Sequence, residues 1–191
     1  MKSIILAILL ATIGYGQISK TSHGGGLNIG EQGAGIFYHR NIKYYKNFNI
    51  GADLRWYDVR PTADAPLYDS YTGRYLTRHS VSLVLFPLFG TLNYYPFEGK
   101  IANNFSPFIC AKLGPVLILD GDEENDKFLA RWSSPKSSFS YGGNIGIGVE
   151  FRNPGRINYN IELSYDYLPL GKTIDIYDSV NGIVLSFSIH R

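Results

Sequence analysis

The sequence holds a single cysteine, Cys110, so no intrachain disulfide can form, and the chain must be held by its own packing or by its surroundings. Charged residues make up only 18% and the formal net charge is +2, too little to draw in a nucleic acid through its phosphates. No Lys/Arg cluster interleaves with the aromatic residues to revive that partner. Past Ile13 no apolar stretch approaches the roughly twenty residues that a membrane-spanning helix needs. The sequence also offers no metal-ligand spacing, phosphate loop or nucleotide motif, so no cofactor is expected. What it has in quantity is Tyr (15), Phe (11) and Gly (21), a composition of aromatic strands and turns that argues against disorder.

The most regular stretch runs from Phe139 to Tyr167. Phe139, Tyr141, Ile145, Ile147, Val149 and Phe151 share one parity, while Ser140, Gly142, Asn144, Gly146, Gly148, Glu150 and Arg152 share the other. After a turn at Asn153-Pro154-Gly155-Arg156 the alternation resumes, with Ile157, Tyr159, Ile161, Leu163, Tyr165 and Tyr167 opposite Asn158, Asn160, Glu162, Ser164 and Asp166. Side chains of a strand point alternately to its two faces, so each segment is a strand with one apolar and one polar face. Strands in soluble sheets run to about five or six residues, whereas a bilayer-spanning strand needs about nine to eleven. These segments match the longer figure.

Eight strands can be laid along the chain. The first two, about 24–30 and 33–41, turn at Glu31-Gln32-Gly33, although the same residues could form one longer strand. Others follow over 47–60, 78–95 and 105–119, then the pair above, then 182–191. The 78–95 segment changes phase at Phe86-Pro87-Leu88-Phe89, and a β-bulge at Pro87 would account for that, because proline cannot donate to the ladder. Connections alternate between short (42–46, 96–104, 153–156) and long (61–77, 120–136, 168–180), as in outer-membrane barrels with tight periplasmic turns and long external loops. At the N-terminus, Met1-Lys2, the apolar run Ile4 to Ile13 and the small residues Gly14-Tyr15-Gly16 read as a secretory signal peptide over residues 1–16, with the mature barrel domain over 17–191.

Two features turn the apolar faces toward lipid. The polar faces are mostly Gly, Ser and Asn, which suits a crowded barrel interior, and Trp56, Tyr94, Tyr141, Tyr159, Tyr165 and Tyr167 lie near strand ends, as interfacial aromatic girdles do. The expected fold is all-β: an eight-stranded antiparallel up-and-down transmembrane β-barrel. Asp53, Arg55, Lys112, Glu150, Arg152, Glu162 and Asp166 would then enter one lumen, where eight strands leave room only for side chains, and the charges should pair.

These features, together with Gly143-Asn144-Ile145-Gly146-Ile147-Gly148-Val149-Glu150-Phe151, the Asn153-Pro154-Gly155 turn and the closing strand Gly182 to His190, make the chain resemble the OmpA/OmpX-like family of small outer-membrane β-barrels. The resemblance is architectural and covers most of the mature chain. It departs at the end, where family members finish on an aromatic and this chain reads Phe187-Ser188-Ile189-His190-Arg191. It implies a Gram-negative outer membrane, a monomer, a structural or surface-interaction role, and as partners outer-membrane lipids, lipopolysaccharide and the barrel-assembly machinery.

Two other classes compete. A secreted or periplasmic lipocalin-like barrel would turn its apolar faces inward around a ligand. A lipid A-modifying enzyme would need a nucleophile with a base in reach, yet His79-Ser80 are neighbours on opposite faces, Ser188 and His190 share a face at the chain end expected to be periplasmic, and His23 and His39 have no partner spacing. Asp120-Gly121-Asp122-Glu123-Glu124-Asn125-Asp126 lacks the glycine of a calcium loop at its sixth position, so a solvated acidic loop is the plainer reading, with weak divalent-cation binding as the alternative. Tyr68, Tyr71 and Tyr75 form either a contact surface or an ordinary packed loop.

Overall fold

The computed structural model describes residues 20–45, 47–60, 67–69, 73–76, 82–101, 104–122, 128–153, 157–174 and 177–191. The segment read as a signal peptide lies outside them. Among the described residues eight long strands close into one antiparallel barrel: β1 (Lys20–Gly30), β2 (Gly33–Tyr45), β3 (Phe48–Val59), β6 (Leu83–Tyr94), β7 (Phe105–Asp120), β8 (Lys136–Phe151), β9 (Asn158–Ile174) and β10 (Tyr177–His190). Each pairs with its neighbour in sequence, and β10 closes on β1. A small hairpin, β4 (Leu67–Asp69) with β5 (Arg74–Leu76), rises between β3 and β6, and one helical turn, α1 (Phe128–Arg131), lies between β7 and β8. The N-terminal glycine-rich segment makes two strands, with Gly30 paired to Gly33 across the turn Glu31–Gln32.

The register winds steadily. From Gly30 it passes to Val184, Ser164, Gly146, Cys110, Asn93, Asn49 and Lys43 and returns to β1 at Lys20, at the opposite end of the strand. That stagger is the shear that strands tilted at about 35–45° must have to close a barrel. Glycines make the closure tight on the inside. A Cβ on Gly148 would collide with the Phe108 ring, and one on Gly26 would meet the Phe37 ring at 2.6 Å.

Outward positions carry the apolar belt: Leu27, Ile36, Ile50, Leu92, Ile109, Ile147, Leu163 and Phe187 are all exposed. Aromatics border it below, with Phe48 against Tyr94 at 4.7 Å between ring centroids and Phe105 against Phe151 at 5.7 Å. Above, Trp56 stacks on Phe86 at 6.4 Å, and Tyr141 and Tyr167 are exposed on β8 and β9.

The bulge expected at Pro87 is absent. Leu54 opposite Leu88 and Tyr57 opposite Leu85 keep one register, and the β3 ladder merely lapses at Phe86 and Pro87, where the missing N–H falls. Leu83, Leu85, Phe89, Thr91 and Asn93 all face inward without a slip. The change of phase is a change of surroundings. Near this level the walls leave the apolar belt, so polar residues such as Asp58, Ser137 and Thr173 take the outer face and apolar ones the inner.

A second expectation also fails. Residues 168–180 are not a long loop, because β9 runs to Ile174 and β10 begins at Tyr177, so both walls project as a hairpin beyond the belt. The β1–β2 turn at the same end is equally tight, which leaves 60–82 and 121–135 as the long connections there.

Candidate functional site

Among the described residues the lumen is where the fold gathers chemistry, and it is layered along the barrel axis. In its middle, β3 contributes Asp53 and Arg55, β7 Lys112, β8 Asn144, and β9 Glu162 and Asp166, all at inward-facing positions and all buried. Arg55 Nη1 donates to both carboxylate oxygens of Asp166, at 3.1 and 3.3 Å, and Arg55 Nε donates to Asp53 Oδ2 at 3.4 Å. Lys112 Nζ donates to Glu162 at 2.7 and 3.0 Å and lies 3.5 Å from Asp53 Oδ2. Asn144 donates to Asp166 as well. Two cations thus hold three carboxylates in one connected network, with the Phe89 ring 5.3 Å from the Arg55 guanidinium carbon. Breaking one partner in such a site leaves a charge buried and unpaired, which is costly.

Glu150 and Arg152 do not join that network. They sit at the lower mouth, where Arg152 pairs with Glu98 at 2.8 Å and with Glu150 at 3.2 Å, and His190 Nε2 stands 3.3 Å from Glu150 Oε1. Arg152 also lies over the Tyr95 ring at 5.3 Å. Burial, with the Glu150 carboxylate beside it, pushes the Tyr95 hydroxyl well above its usual range. Burial opposes the charge on Arg152, but its bonds to Glu98 and Glu150 outweigh that and hold it protonated.

Sequence reasoning missed Asn144, Glu98 and His190 as members of these groups. Parity alone places Asn144 on the face of Glu150 and His190 on the face of Ser188. Glu98 lies in a connection and carries no such signal.

Two small cavities lie between the mid-lumen network and the lower mouth. The inner one, of about 30 Å³, is lined by His39, Asn41, Asp53, Thr91 and Lys112 among others, and the outer one, of about 120 Å³, by Ser22, Asn41, Asn49, Glu150 and His190 among others. The inner one has room for little more than a water molecule, and among the described residues Asp53 Oδ1, His39 Nε2 and Thr91 Oγ1, on side chains that line it, are buried without a hydrogen-bond partner. Above the network the lumen is filled by apolar side chains. Tyr57, Val59, Leu83, Leu85, Val116, Ile118, Leu168 and Leu170 pack into a continuous apolar core across it.

The remaining sequence candidates separate. Ser188 and His190 both face inward, but the imidazole Nε2 faces Glu150 instead of the serine. His39 and His190 meet edge to face at 5.5 Å, and His23 points outward. His79, Ser80, Tyr71 and residues 123–127 of the acidic loop lie outside the described residues. Asp120 pairs in register with Lys136, and the Asp122 N–H donates to the Arg131 carbonyl. The backbones of Tyr68 and Tyr75 pair in the β4–β5 hairpin. Cys110 is buried in the wall against Tyr95 and Phe108.

A closed eight-stranded antiparallel barrel with apolar residues outside and charges inside is the fold of a small outer-membrane protein. No protein-family model and no curated protein matches the chain. Solved structures do match. The chain is similar to Neisserial surface protein A, with a TM-score of 0.59 at 12% identity over 89% of this chain and 93% of that one. It is also similar to the N-terminal β-barrel domain of Pseudomonas aeruginosa OprF, with a TM-score of 0.50 at 9% identity over 90% and 97% of the two chains. At such identities the likeness is one of fold.

Proposed function

We propose that the chain is an integral β-barrel of a Gram-negative outer membrane with a structural or surface-interaction role, exported by its first sixteen residues and working as a monomer without enzymatic activity. The observation that carries this is the pairing of an outward apolar belt between two aromatic rows with a lumen filled by ion pairs below and apolar side chains above. A belt of that kind requires lipid or detergent. A lumen so filled offers no open path for solutes. The lipocalin-like alternative needs an apolar interior around an open pocket, whereas the apolar interior here is packed. Outer-membrane lipids, lipopolysaccharide and the assembly machinery are the partners this reading requires, and the external connections are where any surface partner would meet the chain.

Electrophoresis of the membrane fraction with and without boiling tests the reading. A folded barrel resists the detergent and shifts in mobility on heating, and it fractionates with the outer membrane. A protein that is soluble without detergent and shows no shift would overturn it.

A further inference from the structure

Among the described residues the outer surface of the barrel has one break in its apolar belt. On β2 the outward positions run Ile36, Tyr38, Arg40, and Arg40 stands in register with Ala52 of β3 and His23 of β1. Both Arg40 and His23 are exposed. Ala52 follows Phe48 and Ile50 on the outward face of β3, so Arg40 lies inside the belt, a short way above the lower aromatic row. At the rim below, the register sets Lys20 opposite Lys43. The acidic residues of these walls are elsewhere: Glu31, Asp58 and Asp178 lie at the other end of the barrel, and Asp53 faces inward.

The opposite wall differs. Its lower-mouth cation, Arg152, is already paired with Glu98 and Glu150, whereas among the described residues Arg40 has no ion-pair partner. An arginine on the lipid face costs least near the interface, where its long stem lets the guanidinium reach the headgroups. What the headgroup layer offers such a fork is a phosphate, which a guanidinium binds through two parallel hydrogen bonds. The small Ala52 beside it leaves that side of the surface open.

We propose that Arg40, with His23 beside it, is a binding site for the phosphate of an anionic phospholipid in the periplasmic leaflet. The site rests on the membrane reading above, and it fixes one sector of the barrel, β1 to β3, against acidic lipid. Basic residues at a membrane surface favour anionic lipid by about fivefold each.

The test uses the full chain refolded in detergent micelles doped with equal amounts of phosphatidylglycerol and phosphatidylethanolamine, with retained lipid read by native mass spectrometry. The wild type retains phosphatidylglycerol several-fold over phosphatidylethanolamine, and the preference falls with added salt. Arg40→Gln brings the ratio close to one, His23→Gln lowers it less, and Arg60→Gln, at the opposite end of the barrel, leaves it unchanged. Heat-modifiability of each variant shows that the loss is not one of folding. Equal retention of the two lipids by the wild type, or an undiminished preference in folded Arg40→Gln, would overturn the site. So would selective retention of added lipid A in place of phosphatidylglycerol, because that would assign the patch to the outer leaflet. A wild type that shows no heat shift fails the membrane reading itself, a distinct result from a folded barrel without lipid preference.

Discussion

The lower and upper halves of the lumen are built from the same strands, by the same inward alternation, yet they are filled with opposite chemistry. Below, β3 sends in Asp53 and Arg55 and β9 sends in Glu162 and Asp166. A turn of the barrel wall higher, the same two strands send in Tyr57, Val59, Leu168 and Leu170. What differs is the environment outside the wall. Where lipid covers the outer face, apolar residues are needed there, and the polar set is left to satisfy itself inside. Where water covers it, the wall becomes an ordinary soluble sheet with an apolar core. The switch of the apolar residues from the outer to the inner face therefore marks one edge of the lipid-facing belt.

The sharpest way to break the charged half is Arg55→Ala. Asp166 and Asp53 lose their guanidinium partner inside the barrel, and unfolding from lipid vesicles in urea should show a loss of about 3–5 kcal/mol. In the apolar half, Leu168→Ala removes packing without stranding a charge, and the same measurement should give about 2–5 kcal/mol, set by how far the core collapses. A loss there greater than that of Arg55→Ala would mean that the upper core, not the network, dominates stability.

The double replacement Lys112→Met with Glu162→Met sharpens the comparison. Lys112→Met alone leaves two carboxylates short of a cation and should be strongly destabilising, while the double variant should recover most of that loss, since buried pairs replaced together by apolar residues are often near neutral. A double variant less stable than Lys112→Met would show that the lumen requires charge as such.

Alkaline titration tests the lower mouth. Tyr95 keeps its proton more firmly in the folded state than in the unfolded one, so its contribution is present below the ordinary tyrosine range and is lost as pH rises through the folded value. Stability should fall more steeply above about pH 10 in the wild type than in Tyr95→Phe, as followed by heat-modifiability against pH. The smallest effect belongs to the projecting hairpin. Thr173 donates to Asp178 at 2.6 Å in full exposure, and Thr173→Ala should change stability by about 0.5 kcal/mol or less.

Much of this is legible in the sequence. A period of two sustained from Phe139 to Tyr167 defines two strands and both their faces, because a strand has no other way to arrange side chains. The inward positions of Asp53, Arg55, Lys112, Glu150, Arg152, Glu162 and Asp166 follow from the same count. The misreadings have one cause. Alternation fixes which residues share a face but carries no label for what that face meets, so the phase change at Pro87 looked like an extra residue and 168–180 looked like a loop once its lipid-type pattern ended.

The sequence by itself determined most of the strands and which of their residues share a face, since these depend on local periodicity. The tertiary structure decided the rest. Closure with a staggered register is a long-range property, and it alone brought Arg55 to Asp166 and Lys112 to Glu162, left Glu150 and Arg152 at the mouth with Glu98, and set Arg40 apart on the outer wall. Residues far apart in the chain become neighbours only when the barrel closes, and only then can their charges settle into pairs or remain facing the membrane.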